Sequence, residues 1–244
     1  MKTGGRRYAD TTTLISDFSS FPFDSERHCR AMARTNWIHG LYKIPNDDLL
    51  YTLSVFCTCP QRWLEKYDWR PLTDIEVEVS LSSMKFLIKA LWILWREIGY
   101  QMGIQGLPRT YEEITEWADE YEKQNMVPNE KSHELAETTT ALLLYNVPNF
   151  IKPFAKQLVI AMMDDRLRKS MIYPVQPRYI YVLIEWICTV RRFLIRNFHL
   201  PRIFRVKYTS DTKNKFGRYT LNYSDNEVAP VFFVLLIIAV VFAS

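Results

Sequence analysis

Glycine is scarce in this chain: seven residues among 244. That is too few for the tight hairpins of a sheet-rich fold, which draw heavily on glycine. There is no glycine-rich phosphate loop, no Gly-x-Ser-x-Gly elbow and no Cys/His pair in a nucleophile setting, so nothing points to a nucleotide-binding or hydrolase site of those kinds. Cysteine is also sparse, at Cys29, Cys57, Cys59 and Cys188. The C-x-C spacing of Cys57 and Cys59 is tighter than zinc knuckles use. The opening MKTGGRRYADTTT has no apolar run after its basic residues, so it does not read as a secretory signal. All four cysteines are expected as free thiols in a reducing compartment.

Strong charge of either sign is missing too. The net charge is +4, and no nucleic-acid-binding module accompanies it, so no nucleic-acid partner is expected. Nine basic residues nevertheless cluster between Arg191 and Arg218. An uncharged stretch of 17 residues comes after them, VAPVFFVLLIIAVVFAS, from Val228 to Ser244. As a helix it would be about 26 Å long, slightly short of the ~30 Å hydrocarbon core. It reads as a candidate membrane anchor, with the basic residues upstream favouring a cytosol-facing body. The other reading is a buried final helix or an altered C-terminus.

What is present is helical. Hydrophobic residues make up 48% of the chain and aromatics 14%, enough for a packed core. Residues 8–18 read as a short helix. Asp24 and Ser25 can cap the next, to about Tyr42. Asn46 or Asp47 caps a third, through Cys57, and Pro60 opens a short helix carrying Trp63 and Tyr67. Thr73-Asp74-Ile75-Glu76 is a capping box ahead of a long helix to about Met102, and Thr110-Tyr111-Glu112-Glu113 is a second, opening a helix to about Gln124. Further helices are predicted over 131–146, from Phe150 to Met171, and from Pro177 to about Phe198. The whole predicts an all-α fold, a single domain of about eight or nine helices, with no repeat and no linker.

His39 is the most suggestive chemical feature. Thr35 and Asn36 lie one turn before it on the same helical face, and Gly40 removes a side chain beside it, as a flat macrocycle approaching a helix would need. A haem iron commonly takes one histidine nitrogen while an acceptor holds the other. Asn36, Asp47 or a backbone carbonyl could be that acceptor. By residue type alone, a lone histidine is more often a hydrogen-bonded core residue. Arg7 and Thr11, four apart, face one side of a helix. Such an arginine can clamp a carboxylate, a haem propionate for example, and such a threonine can donate to bound dioxygen or water. Other groupings are weaker. His133 and Glu134 lack the second histidine of a zinc-protease helix. Asp164 and Asp165 precede Arg166 and Arg168 and read as ion pairs. His28 lies about 16 Å along the helix from His39, too far to share a metal.

Six segments resemble a known family: GRRYADTTTLI (5–15), ARTNWIHGLYKIPNDDLLYTLSVF (33–56), RWLEKYDWRPLTDIE (62–76), LAETTTALLLYNVP (135–148), MMDDRLRKSMIYPVQP (162–177) and GRYTLNY (217–223). They are similar to the fungal ER-bound oxygenases of the MpaB type and to the bacterial rubber oxygenases (latex-clearing protein). The resemblance covers about residues 5–227, read as the catalytic domain, with 228–244 as the apolar tail. It implies haem b with its iron held by His39, with Arg7, Thr11, Asn36 and Gly40 beside the cofactor and Arg7 and Thr11 serving catalysis. It implies dioxygen-dependent cleavage of a carbon–carbon double bond in a hydrophobic, isoprenoid-type substrate, and an endoplasmic reticulum membrane location. Trp37, Trp63, Trp92 and Phe86 are expected pocket liners.

The chain departs from the family in three places. Asp10 stands where rubber oxygenases carry lysine, Cys59 stands before Pro60 where fungal relatives carry glutamate, and the apolar tail replaces a Pro-Trp-Tyr segment. The alternative reading is a catalytically degenerate, membrane-tethered helical protein without haem chemistry.

Overall fold

The computed structural model describes residues 2–67, 90–145 and 147–198, and every regular element among them is helical. In chain order these are α1 (Lys2–Ser20), α2 (Glu26–His39), α3 (Asn46–Tyr67), α4 (residues 90–101), α5 (Tyr111–Asn125), α6 (Glu130–Leu143), α7 (Lys152–Met162), α8 (Asp165–Ser170) and α9 (Arg178–Phe198). The capping box predicted at Thr73 and the apolar tail from Val228 lie outside the described residues. No helix among the described residues is long and apolar enough to cross a membrane.

α1 and α2 form an antiparallel hairpin. Ser25 stops the turn and starts α2: its hydroxyl donates to the Pro22 carbonyl at 2.7 Å and accepts the His28 amide at 3.2 Å, as an N-cap serine does. Near the turn, Arg27 reaches back to Asp17 at 2.8 Å and lies over the Phe21 ring. His28 Nδ1 donates to the Phe18 carbonyl at 2.7 Å. The main core lies between this hairpin, α3, α4 and α5, centred on Phe18, Phe56, Trp92, Trp95, Ile98 and Ile114.

Several predicted boundaries shift. Pro60 does not open a new helix; α3 runs unbroken through it to Tyr67. A mid-helix proline costs about 3 kcal/mol, so packing on both sides must hold α3 in line. Before the proline, Tyr51 stacks on Tyr121 and donates to Glu122 on α5. Beyond it, Arg62 reaches the same Glu122 at 3.8 Å. In the opposite direction, the helix predicted from Phe150 to Met171 is two helices. Met163 and Asp164 are extended, with ψ of 148° and 150°. Met163 ends one helix and Asp164 stands at the N-cap position of the next, without a side-chain cap hydrogen bond.

The capping box at Thr110 forms in part. The Thr110 hydroxyl accepts the Glu113 amide at 3.2 Å, but the Glu113 carboxylate turns back to the Arg109 amide, at 2.8 Å, one residue further than the usual pattern. Pro177 precedes α9 as predicted.

α4 ends in a tight backbone closure. Gly103 takes φ +76°, its amide donates to the Tyr100 carbonyl, and the Ile104 amide donates to the Gly99 carbonyl, both at 3.0 Å. This is a Schellman closure, which needs a left-handed residue at Gly103 and returns the next apolar side chain to the helix. That side chain is Ile104.

Candidate functional site

A cavity of about 170 Å³ lies where α1, α2, α3 and the end of α4 converge. Each of the first three helices gives it one stripe at helical spacing: Thr11, Leu14, Ile15 and Phe18 from α1; Thr35, Ile38 and His39 from α2; Leu49, Thr52, Leu53 and Phe56 from α3. Trp95, Met102 and Ile104 close it from α4 and the turn beyond. Among the described residues the lining is apolar except for three threonines and one histidine.

The turn after α4 is clamped to the neighbouring helices. Asn46 holds the Gln105 backbone on both sides, accepting its N–H at 2.8 Å and donating to its carbonyl at 3.1 Å. Asn36 donates to the Gln101 carbonyl at 2.9 Å. These bonds fix Met102 and Ile104 against α2 and α3. Gly99 permits the closeness of α4 and α3: a Cβ there would meet the Leu53 side chain at 2.8 Å.

Among the described residues of the lining, His39 alone is ionisable. Its Nδ1 is buried and has no hydrogen-bond partner among the described residues. Burial lowers its pKa below the ordinary histidine value, so the ring is neutral at pH 7 and keeps a lone pair for a Lewis acid or a donor. One turn back, Asn36 Oδ1 is also buried without a partner. Asn36 therefore does not hold the His39 ring; its amide is committed to Gln101.

The remaining expected site residues fall unevenly. Thr11 lines the cavity from α1. Arg7 belongs to α1, one turn before Thr11, but its side chain lies outside the described ones. Gly40 is not part of the lining; a Cβ there would meet only the Asn36 and Trp37 carbonyl oxygens, at 3.2 and 3.6 Å. Trp37 is exposed, with Arg34 over its ring. Two residues from His39 on a helix is more than half a turn away, so Trp37 points elsewhere. Trp92 is buried in the core and donates to the Arg109 carbonyl, Trp63 is outside the lining, and Phe86 lies outside the described residues. The aromatic walls are Phe18, Phe56 and Trp95, the last two stacked with centroids 4.2 Å apart.

The other groupings behave as ordinary structure. His133 Nδ1 donates to the Met171 carbonyl at 2.7 Å. Asp165 pairs with Arg168, and Arg166 with Asp119 and Glu122. All four cysteines are free, and burial pushes Cys59 up to about 11. No cluster of three metal-ligating side chains occurs among the described residues.

Sequence comparison places these features in a family. The profile of the family described as "ER-bound oxygenase mpaB/B'/Rubber oxygenase, catalytic domain" matches residues 27–193, which include His39 but neither Arg7 nor Thr11. The chain is 33% identical to the ER-bound oxygenase mpaB' of Penicillium brevicompactum over 95% of its length, and 38% identical to the ER-bound oxygenase mpaB of Penicillium roqueforti over 70%. It spans 57% and 59% of the length of those two relatives. No solved structure matches it significantly. With more than half of its residues matched and an all-helical fold, the chain belongs to the family of ER-bound oxygenases mpaB/B' and rubber oxygenases.

Proposed function

We propose that this chain is a haem b-dependent oxygenase that uses dioxygen to cleave a carbon–carbon double bond in a hydrophobic, isoprenoid-type substrate. The step balances without an external reductant: one alkene and one dioxygen give two carbonyl products. The observation that carries the reading is His39, whose buried Nδ1 has no partner among the described residues at the wall of an apolar cavity. Its neutral ring could serve as an iron ligand, and the three threonines and ten apolar side chains around it suit a greasy ligand. When bound, the haem would supply dioxygen activation.

The chain's own residues supply the setting. His39 would hold the iron, Thr11 lines the same cavity, and Phe18, Phe56 and Trp95 exclude water. Arg7, one turn from Thr11 on α1, is assigned to a haem propionate. Asn36 fixes the α4 turn behind His39. At about 170 Å³ the cavity is below the 300–1,000 Å³ of ordinary small-molecule sites, so loading requires the lining side chains to part. Membrane association at the endoplasmic reticulum is part of the same proposal, supported by the names of the two relatives, both ER-bound.

The test is an absorption spectrum of the full chain supplied with haem, with His39→Ala beside it. A Soret band in the wild type that is lost or shifted in the variant is the expected result. A folded, helical wild type that gives no Soret band overturns the proposal. With the band in hand, a polyprenyl substrate under ¹⁸O₂ should yield two carbonyl fragments, each with one heavy oxygen.

A further inference from the structure

α9 has two apolar faces, and one of them packs on α7. Ile180 and Ile184 are buried against α7. On the other side Tyr179, Val182, Trp186, Ile187, Phe193 and Leu194 are exposed, at 60, 55, 62, 44, 60 and 50% of their surface. At ~100° per residue these six fall within an arc of about 140°. Singly exposed apolar residues are unremarkable; a continuous stripe along a 21-residue helix marks a surface that something covers.

The charges on α9 say what. The helix carries four arginines, at 178, 191, 192 and 196, and one glutamate, Glu185, for a net charge of 4 − 1 = +3. None of the five falls within the apolar arc by helical spacing: Arg178, Arg192 and Arg196 flank the aromatic-rich stripe on one side and Arg191 on the other. That is the composition of a helix lying in the plane of an anionic membrane surface, with Trp and Phe in the acyl boundary and arginines at the phosphates. The same five charges keep α9 from spanning a bilayer, in agreement with its failure as a transmembrane segment.

We infer that the exposed face of α9 seats on an anionic lipid bilayer, with Trp186 and Phe193 buried in the interface and Arg191 at the headgroups. This deepens the membrane association proposed above and is independent of haem chemistry. It gives the body of the protein an orientation on the membrane that residues 228–244 alone would not.

The experiment uses the full chain with phosphatidylcholine vesicles, with and without phosphatidylserine, and with brominated lipid as a quencher of tryptophan fluorescence. Wild type should show a quenching component on phosphatidylserine vesicles that is absent from Trp186→Phe. The pair Trp186→Glu and Phe193→Glu should weaken partitioning by about tenfold, and Arg191→Glu should weaken it on anionic vesicles only. Equal quenching of wild type and Trp186→Phe overturns the inference, even if the protein pellets with vesicles. That result would leave anchoring through 228–244, and so the endoplasmic reticulum assignment, standing. Trp186 inaccessible to acrylamide without lipid, or a dimer dissociated by Trp186→Glu that shows no lipid quenching, also overturns it, since another segment or a second copy would then cover the stripe.

Discussion

His28 and His39 stand on one helix in opposite surroundings. His28 is buried and bonded at both ring nitrogens, to the Phe18 carbonyl and to the side-chain oxygen Oε1 of Gln101, each at 2.7 Å. His39 has a buried Nδ1 with no partner among the described residues. His28 is thus the hydrogen-bonded core histidine and His39 the one left with chemistry to do. His28→Ala should cost about 2–4 kcal/mol, because it empties a packed site and removes hydrogen bonds to the Phe18 carbonyl and to the part-buried Gln101 side chain. His39→Ala should cost less than about 1 kcal/mol, since no protein hydrogen bond of its Nδ1 is lost. Haem titration should rank them in reverse, with binding lost in His39→Ala only. Urea unfolding beside the titration checks both orders, and equal stability losses would refute the distinction.

The α1–α2 hairpin is held near its turn by Asp17 and Arg27, 2.8 Å apart with side chains only 10% and 7% exposed. Burial raises the Asp17 pKa, outweighing the opposing pull of Arg27, and a buried ion pair of this kind gains little over well-packed apolar side chains. Removing one partner strands the other charge: Asp17→Ala should cost about 3 kcal/mol. Replacing both, as Asp17→Leu with Arg27→Met, should recover most of that loss. A double-mutant cycle by chemical denaturation tests it, and simply additive losses would show that the two do not act as a unit.

Glu137 ties α6 to α7 and to the segment after α8. It accepts from Lys156 at 2.7 Å and from Tyr173 at 2.8 Å. The Lys156 hydrogen bond lowers its pKa below the ordinary carboxylate value, against a smaller opposing effect of burial. A depressed folded-state pKa means the unfolded chain binds the proton more tightly, so stability is present above the unfolded value near 4.5 and is lost as pH falls through the folded one. Urea midpoints of wild type and Glu137→Gln should therefore differ most near pH 6 and converge toward pH 3. A difference that grows on acidification would contradict the assignment.

The residues that can be read from sequence are those whose role is local. Ser25 caps α2 and Thr110 caps α5 because capping is a matter of three or four neighbouring residues. The stripe from Leu49 to Phe56 obeys helical spacing. His39 is visible through its flanking segment, but its distinction from His28 is not, since Gln101 lies 73 residues away from His28. Trp37 neighbours His39 in sequence and so suggests a pocket wall, yet a helix turns it away. Trp95, Met102 and Ile104 escape sequence reading because only the Gly103 turn and the Asn46 clamp bring them to the cavity. The end of the helix near Met102 is legible in the sequence. Its consequence for Ile104 is tertiary. Pro60 misleads because its local breaking preference is opposed by packing that exists only once α5 is in place.

Ile172 carries the clearest backbone strain among the described residues. It is the one non-glycine residue there with positive φ, at +57°, where α8 ends and the chain turns toward Tyr173. A left-handed conformation costs an L-residue roughly 1–2 kcal/mol, and a β-branched side chain is among the least suited to it. Replacing isoleucine outright would mix relief of strain with loss of its partly exposed side chain's contacts. Comparing Ile172→Gly with Ile172→Ala removes that ambiguity, because both variants lose nearly the same contacts. In a helix alanine is the more stable of the two by about 1 kcal/mol. Here the order should invert, with Ile172→Gly the more stable by about 1 kcal/mol in urea unfolding. If alanine proves the better residue, position 172 is not left-handed in solution, and the path that carries Met171 to its hydrogen bond with His133 would have to be redrawn.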